Sequence, residues 1–323
     1  MDEITAMGKS TEVSISGKWF QVPAFDFDGN TIVVVGSRVR VASVHEEDWI
    51  ETKLVDPEGC LAALRRKREQ GLRVDVFTFA QKLPDTTPRY TYHIEPESVA
   101  AIRISTFERW WDSLPQETRK NVRRSQKRGV EIKLGTFGDE LVAGIAAVNN
   151  ERAVRQGRRF PHYGKSLDEV KKDYSSFLDR SDFICAYHGS ELIGFVKLVY
   201  RGDIASVLQS LVKLSHQDKR PANALLSKAV ELCAAKGLSY LTYGKFTYGN
   251  KGDSSLTEFK TRHGFEEVLM PRYYVPLTRL GAVYTRLRLY RGLLGVLPGR
   301  LIRAGVQARL AWYRLSRAGV AQR

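Results

Sequence analysis

Alternation of apolar and polar residues predicts short strands at Trp19–Val22, Thr31–Val35 and Arg38–Val44. Asp28-Gly29-Asn30 turns the chain before the second, and Gly36-Ser37 joins the last two. The polar residues 1 to about 17 read as a frayed end. Helical periodicity follows over Pro57–Gln70, stopped by Gly71, and Val74–Phe79 then reads as a buried strand. Tyr90–Ile94 and Ala100–Ile104 are expected as strands separated by Pro96. Thr106–Arg128 is expected as a helix broken near Pro115 and closed by Gly129.

The second half is more regular. Asp139–Gln156 has helical spacing, and the capping box Ser166-Leu167-Asp168-Glu169 starts a helix running through Leu178. Three strands, Phe183–Tyr187, Leu192–Tyr200 and Ile204–Val212, are joined by His188-Gly189-Ser190 and Arg201-Gly202-Asp203 into an antiparallel meander. Pro221 opens a helix to Lys236 that Gly237 stops, Leu238–Tyr243 is a strand, and Ser255–Glu258 reads as a second capping box. That short helix ends at Gly264, and Phe265–Val275 is the last strand. This order predicts an α/β chain with a mixed sheet, splayed where strand direction changes.

Composition is ordinary for a globular chain, with 43% hydrophobic residues among 323, which excludes wholesale disorder. No apolar run approaches the roughly 20 residues of a membrane span, and Met1–Ser10 lacks the pattern of a Sec-type signal, so a cytoplasmic location is expected. Cys60, Cys185 and Cys233 are far apart, which argues against a zinc site or disulfide framework, and Cys185 and Cys233 read as small buried hydrophobes rather than as nucleophiles.

Charge changes the picture. Leu277–Arg323 holds ten arginines and neither lysine nor acid, so ten of the fifteen net positive charges lie there. Leucines, valines and Trp312 alternate with them, and Pro298-Gly299 divides two amphipathic helices suited to an anionic membrane interface or to packing on the parent domain. Arg119, Lys120, Arg123, Arg124, Lys127 and Arg128 form a second basic cluster, either a phosphate contact or a solvated face.

The element order from Asp139 resembles the GNAT acyltransferase superfamily. In that superfamily the loop before the third helix reads Q/R-x-x-G-x-G/A, and its amides hold the pyrophosphate of acyl-CoA. The matching segment is Gln217-Asp218-Lys219-Arg220-Pro221-Ala222, with Leu225-Leu226 in register. Arg220 replaces a glycine and Pro221 has no N–H, so Lys219 and Arg220 are expected to bind phosphate through side chains. Phe259-Lys260-Thr261-Arg262-His263-Gly264-Phe265, together with Trp110-Trp111 and the run Arg119–Gly129, resembles the Fem-type branch. Lys260 stands where most GNAT enzymes have the general-acid tyrosine. The branch includes the aminoacyltransferases of peptidoglycan bridges, whose chains have two GNAT-like halves.

The resemblance implies residues 18–135 as a degenerate lobe and 136–276 as a complete one, while the sequence pattern itself sets off 277–323 as a basic helical tail and 1–17 as a flexible start. Acyl transfer by direct attack needs a deprotonated acceptor, oxyanion donors and an acid for the leaving group, without a covalent nucleophile. Lys260 is the candidate oxyanion or leaving-group donor, with a surface lysine as the alternative. His162 in its polar loop is a candidate base or incidental, Asp253 a base or a helix cap, and Tyr243 an acid or a filler of the sheet. Gln209 and Ser210 sit in the central strand, either where this fold exposes its splayed edge to the acyl group or as core positions facing other side chains. No permanently bound cofactor is expected, and the donor is acyl-CoA or aminoacyl-tRNA. Nucleic acid is a partner only if tRNA is that donor. The acceptor is expected to be a small or lipid-linked molecule of the cell envelope, met at the inner face of the plasma membrane. An ordinary acetyl-CoA-dependent N-acetyltransferase, a catalytically silent adaptor, and nucleic-acid binding through the arginines are the rival readings.

Overall fold

The computed structural model describes residues 9–15, 18–46, 53–155, 158–247 and 254–291. The first half runs through strands β1 (Lys9–Ile15), β2 (Lys18–Phe27), β3 (Asn30–Val35) and β4 (Val41–Val44), helix α1 (Pro57–Glu69), then β5 (Val76–Ala80) and β6 (His93–Arg103). Helices α2 (Phe107–Ser113) and α3 (Gln116–Lys127) lead to β7 (Val130–Gly135), α4 (Asp139–Asn149), the two-residue strands β8 (Val154–Arg155) and β9 (Arg158–Arg159), and α5 (Leu167–Tyr174). The chain continues through β10 (Ser181–His188), β11 (Glu191–Arg201), β12 (Ile204–Val212), α6 (Pro221–Ala235), β13 (Tyr240–Thr242), α7 (Ser255–Arg262), β14 (Glu266–Pro276) and α8 (Arg279–Arg286).

Apart from the β8–β9 hairpin, the described strands join one sheet in the order β1-β2-β3-β4-β5-β14-β6-β13-β12-β11-β10-β7. The pattern is the same from either edge. Each half is an antiparallel run ending in one parallel pair, β4 with β5 and β12 with β13, crossed over by α1 and α6. The strand that closes each half comes from the other: β14 lies beside β5, β6 lies beside β13, and β6 and β14 pair at the centre. The final strand thus returns to the first half instead of completing its own. Its Tyr273 and Val275 fill the core beneath α1, with Phe77, Phe79 and Leu64.

Two helical layers cover one face of this sheet. The core under α1 takes Ile94 of β6, and the core under α2, α3 and α6 takes Ala100 and Ile102, all even positions of one strand and therefore on one side. The opposite face is covered in the second half by α4 and α5, packed on Phe183, Cys185 and Phe195. The first edge of the sheet also touches α5 of the second half. Trp19 of β2 donates Nε1–H to Asp173 of α5 at 3.2 Å, and Lys172 pairs with Glu12 of β1 at 2.9 Å.

Several local expectations change with tertiary context. The polar run Lys9–Ile15, expected to fray, is β1, because Val13 packs on Val22, Ala24 and Val33 and the rest need only backbone pairing with β2. Pro96 does not split its strand, since it lies opposite Pro271 and the two missing N–H groups share one rung. The helix from Asp139 stops at Asn149, giving way to the β8–β9 hairpin, and α5 ends at Tyr174. The Ser166 capping box is present in full, whereas α7 is capped by Ser254, one residue before the expected Ser255. All three cysteines are buried, as expected for Cys185 and Cys233, and burial pushes the Cys185 thiol to about 11 and those of Cys60 and Cys233 to about 12.

Candidate active site

β12 and β13 run parallel for three rungs only, Ile204 with Tyr240, Ala205 with Leu241 and Ser206 with Thr242. The chain then leaves β12 and follows β6: Tyr243 N–H donates to Ala100 O at 2.9 Å, Ala100 N–H to Gly244 O at 2.8 Å, and Phe246 N–H to Ser98 O at 3.2 Å. β12 runs on to Val212 with no strand among the described residues on that side, so a wedge opens between the two. A bulge at Leu208 lies just past the last shared rung, where β12 moves from Val207 opposite Leu198 to Gln209 opposite Lys197. Gln209 shares a rung with buried Lys197, and Ser210 points to the other face. The Gln209 Oε1 is buried and has no hydrogen-bond partner among the described residues.

At the open end of the wedge, the residues singled out at Gln217, Lys219, Arg220 and Ala222 gather around the start of α6. A 3-10 turn over Leu214–Lys219 leads to Arg220, which has φ +58°, the left-handed region glycine favours, and then to Pro221 at the first helical position. The α6 N-terminus has no side-chain cap, in contrast with α1, where the Asp56 carboxylate accepts from Gly59 N–H at 2.8 Å. Only the second crossover helix thus presents its positive end to an outside anion. Arg128, at the end of α3, donates to the carbonyl of Asp218 and pairs with its carboxylate at 3.2 Å, bringing the basic helix to this loop.

A carboxylate already occupies the first amides of the loop. Glu151 accepts from Leu214 N–H at 2.7 Å, Ser215 N–H at 2.8 Å and Ser215 Oγ at 2.7 Å, and Arg155 backs it at 3.3 Å. Burial alone would raise its pKa, but the Ser215 and Leu214 donors outweigh this and hold it below the usual value. With these amides taken and Pro221 contributing none, CoA pyrophosphate has few backbone donors. We expect the affinity of the wild type for CoA to be weak, and Arg220→Gly to tighten it about tenfold by removing the side chain while keeping the left-handed backbone. Isothermal titration measures this. Micromolar wild-type binding that the variant loses would mean that Arg220 substitutes for the missing amides.

Lys260 is fully buried, not on the surface. Its Nζ donates to Tyr243 O at 2.6 Å and Lys245 O at 2.7 Å, and it stands 4.6 Å from the Tyr243 ring centroid. It therefore holds the turn at which the chain departs from β12. Burial pulls its pKa down to about 8. The base of the wedge, Ser206 and Thr242, also lines a cavity of about 250 Å³. The floor of the cavity includes Val99, Ile204 and Met270, and its rim carries Lys53, Lys82, Arg201 and Lys245. In its wall Glu97 bridges Arg272 Nε at 2.9 Å and Lys245 at 3.1 Å. Burial raises the Glu97 pKa, but the two cations outweigh it and keep the carboxylate ionised. A second space of about 120 Å³ shares Lys53, Ala80, Gln81 and Lys82 with the first and extends it toward the end of β5.

No protein-family model matches this chain, and no curated protein matches it in sequence. Solved structures match it along most of its length. FemX superposes with a TM-score of 0.56 at 9% identity, over 88% of this chain and 92% of that one. L-PGS from Bacillus licheniformis gives 0.53 at 15% identity over 91% of each chain. The C-terminal domain of a putative lysylphosphatidylglycerol synthetase from Agrobacterium fabrum gives 0.51 at 13% identity, over 91% of this chain and 92% of that one. The fold is the one shared by FemX and the lysylphosphatidylglycerol synthetase domain.

Within this FemX-like fold, the two segments that carried the resemblance meet. Trp110 Nε1–H donates to His263 O at 2.9 Å, and a Cβ on Gly264, whose φ is +81°, would lie 3.3 Å from that nitrogen. The structure groups Lys260 with Tyr243 on one side of the wedge, Gln209 and Ser210 on the other, and Gln217 to Ala222 at its open end. His162 stands apart, beyond the hairpin: its Nδ1 is 3.0 Å from Asp173. Asp253 lies outside the described residues, and Ser254 takes the capping role once open to it. Glu151, Arg155, Asp173, Glu97 and Lys197 were not singled out from the sequence. Only Lys197 left a trace there, as the one charge inside the apolar run Leu192–Tyr200. Its Nζ donates to Tyr174 O at 2.7 Å and to Ser176 O, and burial lowers its pKa to about 8.

Proposed function

We propose that the protein is an acyl- or aminoacyltransferase in which an acceptor amine or hydroxyl attacks a donor carbonyl seated in the β12–β13 wedge. The observation carrying this reading is the opening of that parallel pair after Ser206 and Thr242, beside an uncapped and basic helix start at α6. In the reaction a bond forms from the acceptor to the carbonyl carbon, the bond to the leaving oxygen or sulfur breaks, and the acceptor's proton passes to that leaving group. Lys260 and Tyr243 supply charge stabilisation and the proton on the wedge side.

The donor is held by its phosphate, through Lys219, Arg220 and the neighbouring Arg128, with Gln217 and Ala222 shaping the approach and the β12 edge at Gln209 and Ser210 bordering the acyl group. Glu151 on the loop amides and Pro221 at the helix start favour the end of an aminoacyl-tRNA over the pyrophosphate of acyl-CoA. The acceptor is a cell-envelope or lipid-linked molecule, met at the inner face of the membrane with residues 277–323 toward anionic lipid. The names of the similar structures, FemX and a lysylphosphatidylglycerol synthetase, support that choice.

The test offers the full chain [14C]acetyl-CoA or [14C]aminoacyl-tRNA, together with a phosphatidylglycerol-containing lipid extract or a peptidoglycan precursor. Label moving from tRNA into either acceptor is the expected result. Label moving only from acetyl-CoA would favour an ordinary acyl-CoA enzyme, and transfer from neither would overturn the reading.

A further inference from the structure

α8 lies on the body of the protein with its small residues inward and its large apolar ones outward. Gly281 and Thr285 are buried, while Leu280, Val283 and Leu287 are 49%, 50% and 54% exposed and form one stripe at helical spacing. The helix cannot roll over to hide them. A Cβ on Gly281 would sit 1.9 Å from Asp75 O, so no larger residue fits against the start of β5. Thr278 caps α8 through Gly281 N–H at 3.0 Å and also donates to Asp75 at 2.7 Å. Beyond the helix, the Tyr290 ring stacks on Tyr274 with centroids 4.1 Å apart, its hydroxyl bonds Glu95 at 2.9 Å, and Arg291 pairs with Glu95.

Exposed Arg279, Arg286 and Arg288 flank the stripe, and Leu277–Arg323 contains no acid to repel an anionic surface. We infer that the outer face of α8 seats the protein on an anionic lipid bilayer, with Leu280, Val283 and Leu287 in the interface and the arginines on headgroup phosphates. This rests on the transferase reading only for its consequence, which is the direction from which the acceptor comes. Tyr290 and Arg291 grip Glu95, while Glu97 and Val99, the next residues on that face of β6, line the cavity. One such step along a strand is about 7 Å. The docked bilayer therefore adjoins the cavity, which suits an amphiphilic acceptor whose apolar part stays in the membrane.

The experiment is flotation of the full chain with vesicles of phosphatidylcholine alone and of phosphatidylcholine with phosphatidylglycerol at 3:1. Binding to the anionic vesicles, weakened by salt, is expected for the wild type. A drop of at least tenfold is expected for the triple variant Leu280→Ser, Val283→Ser, Leu287→Ser, with its melting temperature unchanged. A wild type that does not float overturns the inference. So does a triple variant that floats normally but melts lower, which would show that residues 292–323 or another part of the chain cover the stripe. Transfer to a short-chain, water-soluble acceptor should survive in the triple variant. Loss of transfer to every acceptor by the wild type would instead count against the transferase reading.

Discussion

Lys260→Met lowers turnover by on the order of a hundredfold or more, the usual effect of removing one charged donor from a developing oxyanion. The lysine lies under the wedge wall with its ammonium on the Tyr243 and Lys245 carbonyls, so its influence on the chemistry passes through the turn at Tyr243–Lys245 as well as through charge. Because burial places its pKa at about 8, the protonated form dominates at neutral pH, and a rate that depends on it falls as pH rises through 8. Lys260→Arg, charged throughout, should remove that limb. The same depression has a stability consequence. Between about pH 8 and the unfolded value near 10.4, the unfolded chain binds one proton more than the native one at this site, so its contribution to stability improves as pH rises across that window. Stopped-flow rates and urea midpoints at pH 7.5 and 9.5 check both statements. A Met variant with wild-type turnover would leave Lys260 as a clamp on the strand exit and nothing more.

Asp173→Ala destabilises the protein by about 3 kcal/mol, because it removes the buried carboxylate shared by the half-buried Lys165 ammonium, His162 and the indole of Trp19. The Asp173 carboxylate is 6% exposed and takes Lys165 at 2.6 Å, His162 at 3.0 Å and Trp19 at 3.2 Å, tying β2 of the first half to α5 of the second. At that size the melting temperature falls by roughly 5–10 °C. Burial alone would raise the Asp173 pKa, but the His162 and Lys165 donors outweigh it and lower the value. The stabilisation is therefore present above the unfolded pKa near 3.9 and lost as pH falls through the lower folded one. Wild type and variant should converge in acid. Equal melting temperatures at pH 7 would remove Asp173 from the junction between the halves.

The candidate site was legible in parts. The loop at Gln217–Ala222 and the lysine of the F-K-x-x-x-G-F segment are contiguous in sequence, so their chemistry could be read locally. Their environment could not. The carboxylate on the loop amides, Glu151, lies 63 and 64 residues before its two donors, and nothing in its own neighbourhood marks it as an anion bound by a distant turn. The cavity wall is more dispersed still: Glu97 and Arg272 are 175 residues apart and become partners only because β6 and β14 lie side by side.

The sequence by itself determined the elements whose signals act within a few residues. Pro221 and Gly237 bound α6, Ser166 with Glu169 starts α5, glycine turns join the meander, and the acid-free run of arginines after Leu277 sets the charge of the tail. Tertiary structure alone decided which strands pair. Alternation says that Phe265–Val275 is a strand with one buried face, but that face fits any core of suitable shape, and the chain placed it under α1 of the first half. The same held for β1, whose polar residues carry little local drive and gained a partner only once β2 was present. Backbone hydrogen bonding and apolar burial are indifferent to distance along the chain, so the exchange of β6 and β14, and the cavity it creates, belonged to the folded molecule.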